Sequence, residues 1–133
     1  MERLFVDTTA WFGFFNASDP DHGRLVQLLP EWEGRLITTD YVFDELVTLI
    51  RLRVGHAEAC EAGELLRSRR CCRVVAVTEP DVAAAWQQFA READKSYSFT
   101  DCTSFAAMKR LNLTTAAAVD DHFRQAGFRV VPR

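Results

Sequence analysis

Five short apolar runs alternate with segments of helical spacing along this chain, and that alternation limits its fold more than any other feature. The runs are Leu4-Phe5-Val6, Arg35-Leu36-Ile37-Thr38, Arg73-Val74-Val75-Ala76-Val77, Thr114 to Val119 and Phe128-Arg129-Val130-Val131. Strands that alternate with helices form a parallel sheet covered on both faces by right-handed crossovers. The expected fold class is α/β, with one five-stranded parallel sheet. In such sheets ligands bind beyond the carboxyl ends of the strands, so the residues that follow each run are the first candidates for chemistry.

The helical segments carry their own signals. Asn16-Ala17-Ser18-Asp19-Pro20 is turn chemistry, after which Leu25, Leu28, Leu29 and Trp32 recur at helical spacing up to Gly34. Thr39 or Asp40 can cap a helix whose apolar stripe is Val42, Leu46, Leu49 and Ile50, and a second helix runs from Ala57 to Ser68. Pro80 suits the first turn of a helix with Val82, Trp86, Phe89 and Ala93 as its apolar positions. The aromatic cluster Trp11, Phe12, Phe14 and Phe15, broken by Gly13, cannot all face one core from a short helix.

A length of 133 residues suits one domain, residues 1–133, with a single buried core. The net charge of −3 excludes a generally basic nucleic-acid binder, so any contact with nucleic acid must rest on local patches. Cys60, Cys71, Cys72 and Cys102 form no C-x-x-C pair and lack histidines at zinc spacing, which fits a reduced, cytoplasmic chain. No signal segment opens the sequence, and no apolar run approaches the ~20 residues of a membrane span. His22, His56 and His122 show no mutual spacing that suggests ligation and read as surface or turn residues.

Four acids fall at one rim of the expected sheet. Asp7 ends the first strand and Asp120 the fourth; Asp101 opens a helix, and Glu45 lies in the first or second turn of the helix after strand two. Singly, each has a plain structural reading. Asp7 and Asp120 suit helix N-caps, Ser98-x-x-Asp101 matches a capping box, and Glu45 suits a solvated helix position. Together they shift the balance, because crowded carboxylates repel one another unless a cation compensates them. Ligation by Asp and Glu oxygens alone selects hard ions such as Mg²⁺ or Mn²⁺, which act mainly on phosphates.

The residues also carry a resemblance. Phe5-Val6-Asp7-Thr8-x-Ala10-Trp11, Asp44-Glu45-Leu46, Ser98-Phe99-Thr100-Asp101-Cys102 and Val119-Asp120-Asp121-His122-Phe123 followed by Ala126-Gly127-Phe128 resemble, in order, the motifs of PIN-domain ribonucleases of the VapC type, the toxins of bacterial toxin–antitoxin pairs. The resemblance implies strand order 3-2-1-4-5, which sets the ends of strands one and four side by side. It implies an RNA-hydrolysing site that gathers one or two divalent ions on Asp7, Glu45, Asp101 and Asp120, with Asp121 the alternative fourth acid and Thr8 and Thr100 lining the site. Products with a 5′-phosphate and a 3′-hydroxyl, a homodimer and an inhibitory antitoxin lying in an apolar groove follow in the same way, and Trp11, Phe14 and Phe15 are candidates for that groove.

Competing readings are a non-catalytic module that keeps the fold and another Mg²⁺-dependent phosphoryl hydrolase. A phosphoaspartyl phosphatase wants a second aspartate where Thr9 stands, and a phospho-receiver wants its acceptor aspartate where Thr78-Glu79 follows the third strand. Of the cations Arg51, Arg53, Arg67, Arg69, Arg70, Lys95, Lys109 and Arg110, most read as solvated helix faces. Arg67, Arg69 and Arg70 are the candidates for a phosphate-tracking patch.

Overall fold

The computed structural model describes all 133 residues. In chain order its elements are β1 (Leu4–Val6), α1 (Thr8–Phe15), α2 (His22–Leu28), a 3-10 turn (Leu29–Trp32), β2 (Leu36–Thr39), α3 (Asp40–Arg53), α4 (His56–Arg67), β3 (Arg73–Val75), α5 (Glu79–Arg91), α6 (Phe99–Arg110), β4 (Thr115–Ala117), α7 (His122–Gln125) and β5 (Arg129–Val131). The five strands are all parallel and lie in the order β3-β2-β1-β4-β5, as the resemblance implied.

Every residue of β1, β2 and β4 is buried. Successive strand side chains point to opposite faces, so helices must seal both sides of the sheet. Beneath the carboxyl edge lies an aromatic core: Phe5 stacks on Phe123 at 5.9 Å, Phe105 meets Phe123 edge-on at 4.9 Å, and Tyr97 meets Phe105 at 5.0 Å. These rings anchor α7 and the start of α6 against β1, and both helices carry candidate site residues.

Two strands stop earlier than their apolar runs, for a reason that sequence periodicity does not contain. β3 ends at Val75 because the Val77 N–H donates to Asp40 Oδ1 (2.9 Å) instead of to a neighbouring strand. β4 ends at Ala117, and the Val119 N–H donates to Thr9 Oγ1 (3.2 Å). In both places a side chain from a helix start takes the donor and draws the backbone out of the sheet.

Gly13 does not break α1 but lies inside it, where a Cβ would collide with the Leu25 side chain, so it lets α1 and α2 approach closely. The stripe expected to face inward on α5 is also corrected. The helix buries Asp81 and Ala85, leaves Trp86 and Phe89 60% and 41% exposed, and ends before Ala93. Its rotation is set by Asp81, which completes a capping box with Thr78 and receives Arg110 Nε and Nη2 at 2.9–3.1 Å. Burial pushes the Asp81 carboxyl up, but the bonds from Arg110 and Thr78 outweigh it and hold it below the usual carboxylate range.

Asp81→Ala removes the acceptor of the Thr78 N–H in the capping box and leaves Arg110 without its acid, which costs about 2–3 kcal/mol at neutral pH. Because the folded carboxyl is depressed, its contribution is complete above the ordinary carboxylate range and is lost as pH falls through the folded value. Denaturant unfolding should therefore show a large gap between wild type and Asp81→Ala at neutral pH and a smaller one in acid.

Candidate active site

Asp7 leaves the sheet where β1 and β4 end together. Its N–H donates to the Ala117 carbonyl (3.0 Å), the last rung between the two strands, and its side chain then caps α1. Asp7 Oδ2 accepts from Thr9 N (3.3 Å) and Thr9 Oγ1 (2.7 Å). Since the same hydroxyl oxygen accepts from Val119, Thr9 ties the Asp7 carboxylate to the chain leaving β4. The resemblance implies that Thr8 lines the site. Thr8 is buried with no hydrogen-bond partner for Oγ1, and Thr9 makes the contact to Asp7.

Asp101 reaches the same edge from α6. The expected capping box is present in full: Ser98 Oγ accepts from Asp101 N (2.9 Å) and Asp101 Oδ2 accepts from Ser98 N (3.0 Å). The box fixes the carboxylate at a helix N-terminus, where negative charge is favoured, yet leaves the residue buried.

Asp120 follows β4 and accepts from the His122 N–H at Oδ1 (3.2 Å). Asp121 is exposed and pairs with Arg124, so of these two acids Asp120 faces Asp101 across His122. Glu45 is half-buried on α3 and makes no hydrogen bond or ion pair. Thr100 is half-buried in the first turn of α6; its carbonyl accepts from Thr103 Oγ1 (2.7 Å), and its hydroxyl contacts none of the acids.

His122 is the residue that sequence reasoning misplaced. It is not a plain turn residue: its Nδ1 lies 2.7 Å from Asp101 Oδ2 and 3.6 Å from Asp120 Oδ2, and its ring meets Tyr97 edge-on at 5.8 Å. The signal that could have located it is its neighbour. Phe123 is an aromatic core residue, and burying it fixes the one-turn helix α7 so that residue 122 meets α6.

The electrostatics follow from this crowding. Burial, then the negative charge of Asp101, push Asp7 from its ordinary 3.8 to about 7; the Thr9 hydroxyl opposes the rise and Asp120 adds to it. Asp101 is also raised, first by burial, although the bonds from Ser98 and His122 pull the other way. In each carboxylate Oδ2 is occupied by protein donors while Oδ1 accepts none. As the side chains stand, no three His, Cys, Asp or Glu groups converge closely enough to hold one ion. Chemically, the edge offers two free carboxylate oxygens in a low-dielectric setting, with a third carboxylate open to solvent beside them.

The chain and its fold are shared with known proteins. Residues 4–129 match the PIN domain. The chain is 36% identical over 125 residues to the 23S rRNA-specific endonuclease VapC20 of Mycobacterium tuberculosis, covering 94% of this chain and 95% of that protein. The crystal structure of M. tuberculosis VapC20, described as a Sarcin-Ricin loop cleaving toxin, superposes with a TM-score of 0.89 at 35% identity, with 94% and 95% of the two chains covered. FitAcB from Neisseria gonorrhoeae shares the fold, with a TM-score of 0.71 at 20% identity over 96% and 95% of the chains. The edge that gathers Asp7, Asp101 and Asp120 thus lies in a fold shared with a ribosomal-RNA endonuclease, and the chain belongs to the PIN domain family, in its VapC-type branch.

Proposed function

We propose that this chain is a divalent-cation-dependent endoribonuclease, the toxin of a toxin–antitoxin pair, and that it hydrolyses RNA phosphodiester bonds at the edge formed by Asp7, Asp101 and Asp120. One observation carries the reading: two buried carboxylates stand in each other's field, each with one oxygen held by protein donors and the other free. The orphaned Thr8 hydroxyl beside them is a further polar group without a protein partner. This donor set fits a hard ion, Mg²⁺ or Mn²⁺, one or two per site. Asp7 Oδ1 and Asp101 Oδ1 would hold it, with Asp120 and Glu45 completing the set.

When bound, such an ion neutralises charge on the scissile phosphate and makes water a better nucleophile at neutral pH. The chain's own residues supply the rest. Thr9 and the Ser98 box fix the two carboxylates, and both must be ionised to act. Asp120, a third exposed, would orient the attacking water and take up its proton. His122 Nδ1 would donate to Asp101 Oδ2 and keep Oδ1 turned toward the ion, as outer hydrogen-bond partners of metal ligands commonly do. The substrate of VapC20 makes a structured ribosomal RNA loop the first RNA to test.

The remaining assignments rest on the same reading. Residues 1–133 act as one PIN domain in the cytoplasm, and no helix is long and apolar enough to cross a membrane. Trp11 and Phe14 line an apolar cavity of about 290 Å³ with Leu29, Pro30 and Leu65, which suits an apolar anchor of the antitoxin; Phe15 packs beside it on Trp11. The outward face of α5 carries the uncharged residues Ala83, Trp86, Gln87, Phe89 and Ala90 between Glu79 and Arg91 at its ends, which supports its use between two copies in a homodimer.

Asp7→Asn should abolish RNA cleavage while leaving the circular dichroism spectrum unchanged. The same substitution tests the electrostatics. Because the folded carboxyl titrates near 7 instead of 3.8, the native state holds an extra proton between those values, and cation-free stability falls as pH rises through that window. At pH 8 without divalent ions, Asp7→Asn should therefore melt roughly 3–10 °C higher than wild type. Wild type should gain stability from Mn²⁺ and the variant should not; a wild type indifferent to Mn²⁺ would favour the non-catalytic module.

His122→Ala should weaken Mn²⁺ binding by about 10–100-fold in calorimetry, with His122→Asn, which retains a donor, recovering part of it. Trp86→Glu should shift the protein toward a monomer in light scattering.

A further inference from the structure

The amino edge of the sheet, opposite the carboxylates, holds a second concentration of charge. Arg3, Arg35, Arg69, Arg70 and Arg73 all line one cavity of about 210 Å³, and no Asp or Glu is among the ten residues that line it. The topology accounts for the grouping. A parallel sheet places all its amino ends on one edge; Arg3 precedes β1, Arg35 precedes β2, Arg73 opens β3, and Arg69 and Arg70 lie in the loop that enters β3. Five of the sixteen Lys and Arg residues thus share one cavity in a chain of net charge −3. Arg67, grouped with Arg69 and Arg70 on sequence alone, lies on α4 and does not line this cavity, although it borders another with Arg69.

None of the five forms an ion pair with a carboxylate, although Arg24, Arg91, Lys95, Arg110, Arg124 and Arg129 all do. Two of them are held by neutral groups instead. Arg35 donates to the Glu2 and Glu31 carbonyls (3.3 and 3.1 Å) and stacks over Trp32 at 4.6 Å, and Arg3 donates to the Leu111 carbonyl (3.3 Å). Those contacts position the guanidinium groups without cancelling their charge. Arg69 adopts a left-handed backbone (φ 64°), which costs a non-glycine residue on the order of 1–2 kcal/mol. The acids nearby do not pair with these arginines: the Glu2 side chain pairs with Arg129, Glu31 offers Arg35 its carbonyl, and Glu33 lines the adjoining apolar cavity, which Arg70 also borders.

We propose that this arginine cavity is a phosphate-binding exosite for the backbone of a folded RNA substrate. Planar guanidinium groups match phosphate oxygens two at a time, and a cluster without acids has no internal partner to displace. The position favours RNA over a single nucleotide. The carboxylate edge repels a polyanion, so binding free energy has to come from elsewhere on the surface. With strands of three or four residues at ~3.3 Å each, the two edges lie more than about 10 Å apart, so only a ligand that wraps around the sheet touches both. The exosite therefore raises affinity for a structured RNA and leaves a short oligonucleotide at the acidic edge unaffected. This proposal rests on the ribonuclease reading above for its choice of ligand.

The test uses Arg69→Ala, Arg70→Ala and Arg73→Ala combined, which spares the two arginines that brace the backbone; an unchanged melting temperature shows that the fold is intact. In the Asp7→Asn background, binding of a stem–loop RNA is followed against salt. The triple substitution should lower affinity at least tenfold at low salt and reduce the slope of log K against log salt by about 2. With Asp7 intact, it should raise KM for the stem–loop while leaving cleavage of a hexanucleotide unchanged. Equal affinity and equal slope with and without the three arginines would overturn the proposal. So would unchanged RNA binding accompanied by loss of binding to polyglutamate, which would assign the cavity to an acidic protein segment.

Should wild type cleave no RNA, the nuclease reading fails by itself, and titration with inorganic tripolyphosphate decides the anion site separately. Heat of binding that disappears in the triple variant keeps a phosphate site, and no heat with either protein removes it.

Discussion

Holding carboxylates out of water within each other's field is the constraint on which the rest of this structure depends. An isolated pair of buried acids would keep its protons or move apart. Here neither can move, because Asp7 caps α1 and is braced by Thr9, while Asp101 is fixed in the capping box of α6. Ordinary helix-starting interactions thus hold an arrangement that electrostatics disfavours, and the strain appears as an Asp7 carboxyl raised to about 7. A cation held at this edge would relieve what the backbone enforces. Capping leaves each side chain with one oxygen turned to the protein and the other free, which is the arrangement the proposed ligation needs.

The sheet supplies the distances. Pairing β1 directly with β4 brings the chain beyond Ala117 next to Asp7, and the Thr9 hydroxyl spans the junction to Val119. The aromatic core of Phe5, Phe105 and Phe123 then sets α6 and α7 at the height that lets His122 meet Asp101. The same parallel order separates charge across the molecule. Strand ends at one edge carry the aspartates, and at the other edge Arg3, Arg35, Arg69, Arg70 and Arg73, around the starts of β1, β2 and β3, lack acid partners, while Arg129 at the start of β5 pairs with Glu2. A chain whose net charge is acidic can thereby present a strongly cationic face to a polyanion.

Local rules were legible where one residue's chemistry settles its role. The Ser98 box and the alternation of strands and helices follow from neighbours in sequence and each is present, and of the two caps open for α3, Thr39 or Asp40, the structure uses Thr39. Periodicity failed where a distant partner intervened. The apolar stripe of α5 faces outward because Asp81 is drawn in by Arg110, 29 residues away. β3 and β4 are shorter than their apolar runs because Asp40 and Thr9 take backbone donors that a strand would otherwise use. His122 stayed unread because its partner, Asp101, is 21 residues away, and no local spacing records that contact.

By itself the sequence determined the α/β class, the acids that follow β1 and β4, the capping acid of α6 and the family motifs, since each depends on residue type and short-range order. Only the tertiary structure decided that Thr9 and not Thr8 braces Asp7, that Asp120 and not Asp121 faces Asp101, and that His122 lies between those two carboxylates. It also decided that five arginines share one cavity. The physical reason is common to all of these. Hydrogen bonds and charge repulsion act over a few ångströms of space, and in a parallel sheet the residues that meet at one edge come from segments tens of residues apart.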